Sequence, residues 1–335
     1  MQVKREELLK LLETLTPGLA QREIVEQSNT FVFTKERIFT YNDDIACSCP
    51  SPLKDVEGAV PASDLVAILQ KLKDKEIDIS QDDSVLILTG KRCKSGITMN
   101  TEILLPVKYQ KKGEWKPLPK NFKEAVDTVK NCASSDASKF AFTCIHIMPK
   151  HIEACDNKRA ARYDIKTNFE KEVLIRASSL QHVISTDVTE FLEKGNWIHF
   201  QNSAGFQISC LRFIGEAYQD LEKVLNRKGV EVVLPITSIG AITCAEVFSS
   251  KNEENKLVIH LKGTELQISS QGNSGWFWEK KKVKYTGPDI SFTITPKLLI
   301  DLLEHDNHCE IHENKMLKIT DKNYTYVVVL GMPPE

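Results

Sequence analysis

Apolar and polar positions along this chain fall into one order that occurs three times. A hairpin of alternating residues is followed by a short apolar strand, an amphipathic helix and two more alternating strands. The first copy runs through Phe31–Phe39, Pro61–Lys73 and Ser84–Met99. The second runs through Phe140–Ile165, Val173–Glu193 and Trp197–Leu211, and the third through Lys256–Ser269, Ile290–Glu304 and Cys309–Leu330. Such a period divides the chain into similar units of about 110 residues, an ordinary domain size. The expected domains are residues 1–115, 116–222 and 223–335.

In the first unit, Val3–Leu15 reads as a helix with Leu8, Leu11, Leu12 and Leu15 on one face, ended by Pro17-Gly18. Thr30–Phe33 and Arg37–Tyr41 form a hairpin that turns at Thr34–Glu36. Ala62-Ser63-Asp64 opens a second helix, with Ser63 as N-cap and Leu65, Ile68, Leu69 and Leu72 inward. Val85–Leu88 and Gly96–Thr101 are strands. A proline-containing linker, Tyr109–Pro119, leads to the helix Lys120–Cys132. The hairpin Phe140–Met148 and Ile152–Ala154 follows, then a charged loop at Asp156–Arg159, and the helix Ser178–Leu192 with Leu180, Val183, Ile184, Val188 and Leu192 inward. A second linker spans Gly215–Val230. The last unit holds the helix Ile236–Phe248, strands within Leu257–Ile268 and at Ser291–Ile294, the helix Pro296–Leu303 with proline in its first turn, and the strand Tyr324–Leu330. Alternation implies antiparallel sheet with one buried face, on which the helices pack. The fold class is α+β, repeated.

Composition is that of a soluble globular protein, with 41% hydrophobic and 27% charged residues. No apolar run approaches the roughly 20 residues of a membrane helix, and Met1–Lys10 lacks the apolar core of a signal peptide. The expected location is cytoplasmic, with no membrane partner. Nine cysteines, an odd number within apolar segments, read as reduced thiols rather than a disulfide framework. The net charge of −2 departs from the basic balance of conventional nucleic-acid binders. Any DNA contact is therefore local, weak, or secured by something other than net attraction.

Candidate chemistry is sparse. Cys144, His146, His151 and Cys155 lie close in sequence, but not at a usual zinc spacing. Cys47-x-Cys49 sits in a loop and is not a redox C-x-x-C. His305, His308 and His312 surround a helix end, where histidine suits the dipole. No P-loop, G-x-G-x-x-G or G-x-S-x-G occurs. Asp43-Asp44 and Asp82-Asp83 fit turns. Trp276 and Trp278 share one face of a strand, whose sharper reading is a base-stacking platform. No metal or cofactor is expected. A Cys–His nucleophile pair assembled in space stays open.

With the units laid over one another, the chain resembles the bacterial and phage sliding clamps, the β-subunit family of DNA polymerase III. Ile152-Glu153-Ala154-Cys155-Asp156-Asn157-Lys158-Arg159-Ala160-Ala161 is similar to a central-domain stretch that in the family usually reads apolar-x-Ala-Thr-Asp-Gly-His-Arg-Leu-Ala. Val283–Gly287 through Leu298–Leu303 is similar to the family's Tyr-x-Gly, strand and Leu-rich helix, and Tyr326–Pro333 to its terminal strand and Met-Pro tail. Asn157-Lys158 stand where the family has Gly-His, Ala160 where it has Leu, and Pro334-Glu335 close a somewhat short chain.

The resemblance implies a non-catalytic processivity factor. Two copies would form a head-to-tail homodimer ring of clamp-like domains around duplex DNA and tether the DNA polymerase, with a clamp loader as a further partner. Closure would pair the edge strands Lys94–Thr101 and Glu265–Ser270. DNA would meet Lys4, Arg5, Lys10, Arg22, Lys71, Lys73, Lys75, Lys120, Lys123, Lys130 and Lys139 without base readout. A partner-peptide pocket between the second and third units would draw on Phe142, Cys155, Asn157, Lys158, Arg159, Ala160, Gln219, Lys223, Val224, Leu330, Met332 and Pro333. Its apolar members suit Leu and Phe anchors, and its cations a carboxylate or carbonyl. The alternatives are an enzyme, or a partner-binding module of the same repeated units, that does not encircle DNA.

Overall fold

A computed structural model describes the chain apart from Ile24, Val107, Lys108, 250–254, Asn314, Pro334 and Glu335. The first third contains β1 (Gln2–Lys4), α1 (Arg5–Leu15), β2 (Thr30–Phe33), β3 (Arg37–Tyr41), β4 (Ile45–Pro50), β5 (Gly58–Pro61), α2 (Ala62–Lys71), β6 (Glu76–Asp82), β7 (Val85–Thr89) and β8 (Lys94–Thr98). The middle contains β9 (Lys116–Pro117), α3 (Phe122–Lys130), β10 (Cys144–Ile147), β11 (His151–Cys155), β12 (Arg159–Asp164), β13 (Val173–Arg176), α4 (Ala177–Ile184), β14 (Glu190–Lys194), β15 (Trp197–Gln201) and β16 (Gln207–Phe213). The last third contains α5 (Glu222–Leu225), β17 (Val230–Val233), α6 (Ser238–Ser249), β18 (Leu257–Lys262), β19 (Glu265–Gly272), β20 (Gly275–Lys282), β21 (Lys284–Tyr285), β22 (Ile290–Ile294), α7 (Pro296–His305), β23 (His308–His312), β24 (Met316–Asp321) and β25 (Tyr324–Val329).

The strand–helix–strand–strand unit β5–α2–β6–β7 recurs as β13–α4–β14–β15 and as β22–α7–β23–β24. At each joint an apolar strand runs straight into its helix. Pro61 (φ −52°, ψ 120°), Arg176 (φ −53°, ψ 134°) and Thr295 (φ −67°, ψ 133°) are all extended and none caps with its side chain. Ser63 is therefore not the N-cap. Pro61 holds that place, and the Ser63 hydroxyl bonds the Asp64 carboxylate instead.

The chain forms two compact units, Met1–Asp127 with Thr167–Glu216, and Thr128–Lys166 with Ala217–Glu335. Each has the same build. In the first, an antiparallel sheet runs β5-β2-β3-β4-β16-β15-β14-β9. A smaller sheet, β1-β6-β7-β8, accompanies it. In the second, the long sheet runs β10-β11-β12-β25-β24-β23-β17-β21 and the smaller one β20-β19-β18-β22. The ladders β4–β16 and β12–β25 carry each long sheet from one sequence repeat into the next. The two halves of the middle repeat thus belong to different units.

The cores follow the alternation. In the first unit, Leu12 and Leu15 of α1, Leu65 and Leu69 of α2, and Phe31, Phe33 and Ile38 of the sheet are fully buried. Phe169 stacks on Phe191 at 4.1 Å between ring centres. Each such side chain stabilises the fold by about 1.5–3 kcal/mol through burial. In the second unit, Ile242 of α6 and Leu302 of α7 are buried with Ile259, Ile268 and Phe292 of the smaller sheet. Among the described residues no helix is long and apolar enough to cross a membrane.

Several expected elements differ. The helix expected over Ser178–Leu192 ends at Ile184, and Glu190–Lys194 is strand β14. The 3.6-residue apolar spacing continues past Ser185-Thr186-Asp187, but those residues compete for backbone bonds, and the β-formers Val188 and Phe191 follow. Cys47 and Cys49 are not in a loop: they point inward from β4, where cysteine acts as a small apolar residue. Phe140–Thr143 is a single 3₁₀ turn before β10 rather than strand. Each linker holds a short element, β9 in one and α5 in the other. The edge expected at Glu265–Ser270 is interior: β19 is paired on both sides, and β20 is the edge.

Candidate functional site

The central-domain motif forms the heart of a cavity in the second unit. β11 ends at Cys155, and the chain reverses through Asp156–Lys158 into β12. Asp156 makes that reversal. Its carboxylate accepts the backbone N–H groups of Lys158 at 2.7 Å and Arg159 at 2.8 Å, and its own N–H donates to the Arg159 carbonyl. β12 then pairs with β25, Ala160 opposite Val327. Cys155, Ala160, Leu221, Leu225, Met316 and Val327 form a buried cluster, with Phe142, Tyr218 and Val224 packed against it.

The cavity above this cluster has a volume of about 260 Å³. Its apolar wall is Phe142, Cys155, Ala160, Leu221, Val224, Val327 and Val329; Lys139, Asp156, Asn157, Arg159 and Gln219 form the polar part. At the rim the Lys139 ammonium donates to the Asn157 side-chain carbonyl at 2.8 Å and lies 5.3 Å from the centre of the Phe142 ring. Drug-sized ligands occupy roughly 300–1,000 Å³. This cavity is smaller and open, suited to one or two apolar side chains of a peptide.

Arg159 also lines a second cavity, of about 80 Å³, with Asp301, His305, Tyr324 and Tyr326. Its guanidinium donates to Asp156 and to Asp301, each at 3.2 Å. Burial opposes its charge, but Cys132, Tyr326 and Asp156 together hold its pKa above the ordinary guanidinium value. Burial also pushes the Cys155 thiol up to about 11, so it is a protonated, apolar wall at neutral pH.

Beneath the wall lies a buried polar network. Glu153 accepts from His146 at 2.9 Å and from two nitrogens of Arg162 at 2.9 and 2.8 Å. Arg162 reaches on to Glu222 on α5 at 2.5 Å. Burial would raise the Glu153 carboxyl, but the bonds from His146 and Arg162 outweigh it and hold its pKa below the usual value. The His146 ring packs on Tyr218 at 4.6 Å. Residues 218–225, one wall of the cavity, are thus attached to β10–β12. His146 and His151 both approach the Glu153 carboxylate, and among the described residues no group of three ligand-type side chains is arranged to hold a metal ion.

The solved structures can be set beside this geometry. The chain is similar to the DNA polymerase III subunit β of Pseudomonas aeruginosa, with TM-score 0.86 and 16% identity over 99% of this chain and 100% of that one. A P. aeruginosa sliding clamp bound to griselimycin gives 0.85 and 16%, covering 99% of each chain. The DNA polymerase III β subunit of Thermotoga maritima gives 0.84 and 15%, also covering 99% of each. The chain has the sliding-clamp fold. No protein-family model matches the sequence, and no curated protein does. The clamp fold is therefore evident in backbone geometry at identities where sequence similarity has nearly vanished.

Within this clamp fold, seven residues expected at the pocket line the cavity: Phe142, Cys155, Asn157, Arg159, Ala160, Gln219 and Val224. Lys158, Lys223, Leu330, Met332 and Pro333 are not among its lining residues. Leu330 is buried, and its N–H bonds the Lys315 carbonyl. Met332 is 90% exposed. Lys139, expected at DNA, is also a lining residue of the cavity. Asp156, Leu221, Val327 and Val329 join it unforeseen. The Asx turn was legible in Asp156 itself, and Val327 and Val329 in the alternation of β25.

The cations expected at DNA are not equivalent. Lys10, Arg22, Lys71, Lys73, Lys75 and Lys120 are exposed. Lys4 is exposed but pairs with Glu7 at 2.7 Å. Arg5 is half-buried and donates to the carbonyls of Leu69 at 2.9 Å and Asp74 at 3.1 Å, which fixes α1 against the end of α2. Lys123 donates to the Thr186 carbonyl, and Lys130 is half-buried on α3.

Proposed function

We propose that this chain is a DNA sliding clamp, a non-catalytic processivity factor. Two copies close head to tail around duplex DNA, and the cavity beside β12 and β25 holds short peptides of a polymerase, a clamp loader and other partners. The observation that carries the reading is the end-to-end likeness to clamp structures, at TM-score 0.86 over 99% of the chain. The three domains are residues 1–115, 116–222 and 223–335, working in the cytoplasm. Exposed lysines such as Lys71, Lys73 and Lys75 contact phosphate without base readout, and topology rather than affinity retains the DNA. That arrangement is compatible with a net charge of −2.

The cavity supports the tether. An apolar floor with cations at its rim accepts a Leu or Phe anchor beside a carboxylate or backbone carbonyl. The test is negative-stain averaging of the purified protein, followed by primer extension with a reconstituted polymerase. A six-lobed ring and longer products support the reading. Monomers that leave product length unchanged overturn it.

One observation favours the runner-up, a partner-binding module that does not encircle DNA. The smaller sheets end in β8 and β20, and both edges carry exposed cations: Lys91, Arg92 and Lys94 at β8, and Lys282 on β20 beside Lys280, which pairs with Glu265 at 2.8 Å. Like charges facing one another weaken association at low ionic strength. A ring closed through these edges tightens as salt rises.

A further inference from the structure

We propose that Arg227, beside the cavity of β12 and β25, selects partner peptides that carry a carboxylate a few residues from their apolar anchor. The proposal rests on the reading of that cavity as a peptide site and names the chemistry of its occupant. Of the two cations that line the cavity, Arg159 is already held by Asp156 and Asp301, each at 3.2 Å, and Lys139 is tied to Asn157 at 2.8 Å. Free positive charge lies just outside, at the end of α5. Lys223, Arg227 and Lys228 are exposed there, and among the described residues no carboxylate pairs with any of them. The two acids of the same segment are engaged. Asp220 accepts the Glu222 N–H at 2.9 Å, and Glu222 accepts from Arg162 and Asn226, each at 2.5 Å. In a chain of net charge −2, one flank of the cavity is thus locally positive. Such a flank complements an acidic segment.

Arg227 is the best placed of the three, and it is held in advance. Its Nε donates to the Lys223 carbonyl at 3.1 Å. That carbonyl belongs to the peptide group leading into Val224, a lining residue, so the guanidinium sits one peptide plane from the cavity wall. The Arg227 carbonyl accepts from Lys318 of β24 at 2.6 Å, and Lys318 is braced by Glu310 at 3.3 Å. The side chain is therefore fixed to α5 and the backbone to β24. Both terminal nitrogens of the guanidinium stay unpaired among the described residues. A planar fork with two free nitrogens receives a carboxylate by two parallel bonds, and holding it beforehand lowers the ordering cost of binding. An extended peptide advances about 3.3 Å per residue, so an acid two or three residues from a seated anchor lies roughly 7–10 Å from it. That step carries the acid past Val224 to the guanidinium, while Lys223 and Lys228 add to the attraction.

The test is fluorescence anisotropy of the full chain with three peptides. Each bears a Leu-Phe anchor, an uncharged dye, and either Glu, Gln or Lys three residues out on both sides. At low salt the Glu peptide is expected to bind about three- to fivefold more tightly than the Gln peptide, the range of an exposed ion pair. At about 0.5 M salt the difference should shrink below about twofold. R227Q should remove the preference and leave the Gln peptide unchanged, R227E should reverse it in favour of Lys, and R227K should keep only part of it, because the fork is lost. K322Q makes the same change of charge in the exposed turn between β24 and β25, at the far end of the ladder, and should leave the preference intact. Both side chains are exposed, so these variants keep the fold, which the thermal midpoint checks. Equal affinity for the Glu and Gln peptides in the parent overturns the proposal and leaves the cavity reading standing. A preference that survives in R227E, or that K322Q removes equally, also overturns it. If none of the three peptides binds, the cavity reading falls and this inference with it.

Discussion

Arg162 grips the buried carboxylate of Glu153 with two nitrogens, at 2.9 and 2.8 Å, and extends its third to the helix that walls the cavity. The pair sits below the site and touches no part of the opening. Arg162→Met leaves Glu153 buried without its main partner and frees α5. The expected cost is about 3–5 kcal/mol of unfolding free energy, measured by urea denaturation. The double variant Glu153→Gln with Arg162→Met should regain part of that loss. A single variant as stable as the parent would show that the network does not carry the wall.

Val224 tests the cavity directly. Val224→Asp places a carboxylate on the apolar floor beside Phe142 and Cys155. A fluorescent peptide with a Leu or Phe anchor should bind at least tenfold more weakly, a cost of about 1.4 kcal/mol or more. Val224 is only partly buried, so the thermal midpoint should barely move. Equal peptide affinity in the two proteins would place the peptide site elsewhere.

Arg5 and the α2-end lysines separate folding from DNA contact. Arg5→Ala removes the bonds to the carbonyls of Leu69 in α2 and of Asp74 just beyond it, and should cost about 1–3 kcal/mol of stability. Lys71→Glu with Lys73→Glu should leave the thermal midpoint within about a degree or two, since surface changes stay near ±0.5 kcal/mol, yet shorten the products of processive synthesis. A stability loss from the lysine pair, or none from Arg5→Ala, would reverse the assignment.

His199 sets an acid limit. Its ring nitrogen bonds the Ser209 hydroxyl at 2.7 Å, and burial lowers its pKa from 6.5 to about 4. A histidine depressed in the native state binds more protons once unfolded. Its contribution is complete above pH 6.5 and is lost as pH falls from there towards 4. Denaturation at pH 7 and pH 5 should differ by about 1–2 kcal/mol from this residue, and His199→Gln should remove that share. An unchanged pH slope in the variant would dismiss it.

The sequence and the structure agree where information is local. β2 and β3 have the limits that alternation and the Thr34–Glu36 turn predict, and the three strand-to-helix joints were visible as apolar runs meeting amphipathic ones. Disagreement begins where one stretch must know another. β19 and β20 both alternate, and only their pairing tells which is the edge. Arg5 looks like any surface cation until the end of α2 and the turn after it present the carbonyls of Leu69 and Asp74. Asp156 announces its turn in sequence, whereas the Glu153–Arg162 bridge to Glu222 crosses sixty residues and leaves no trace in spacing.

The ladder between β12 and β25 is also a seam, stitched by five facing residue pairs from Arg159↔Val328 to Tyr163↔Tyr324. Ala160 on one side of it and Val327 on the other both wall the cavity. Any occupant therefore straddles the stitch line and staples it. Its binding energy is added to the work needed to unzip the two strands, in proportion to RT ln(1 + [L]/Kd). On the proposed reading of the cavity, a protein loaded with a peptide should resist being pulled apart along this line better than an empty one, and a recruited partner would reinforce the sheet that holds it.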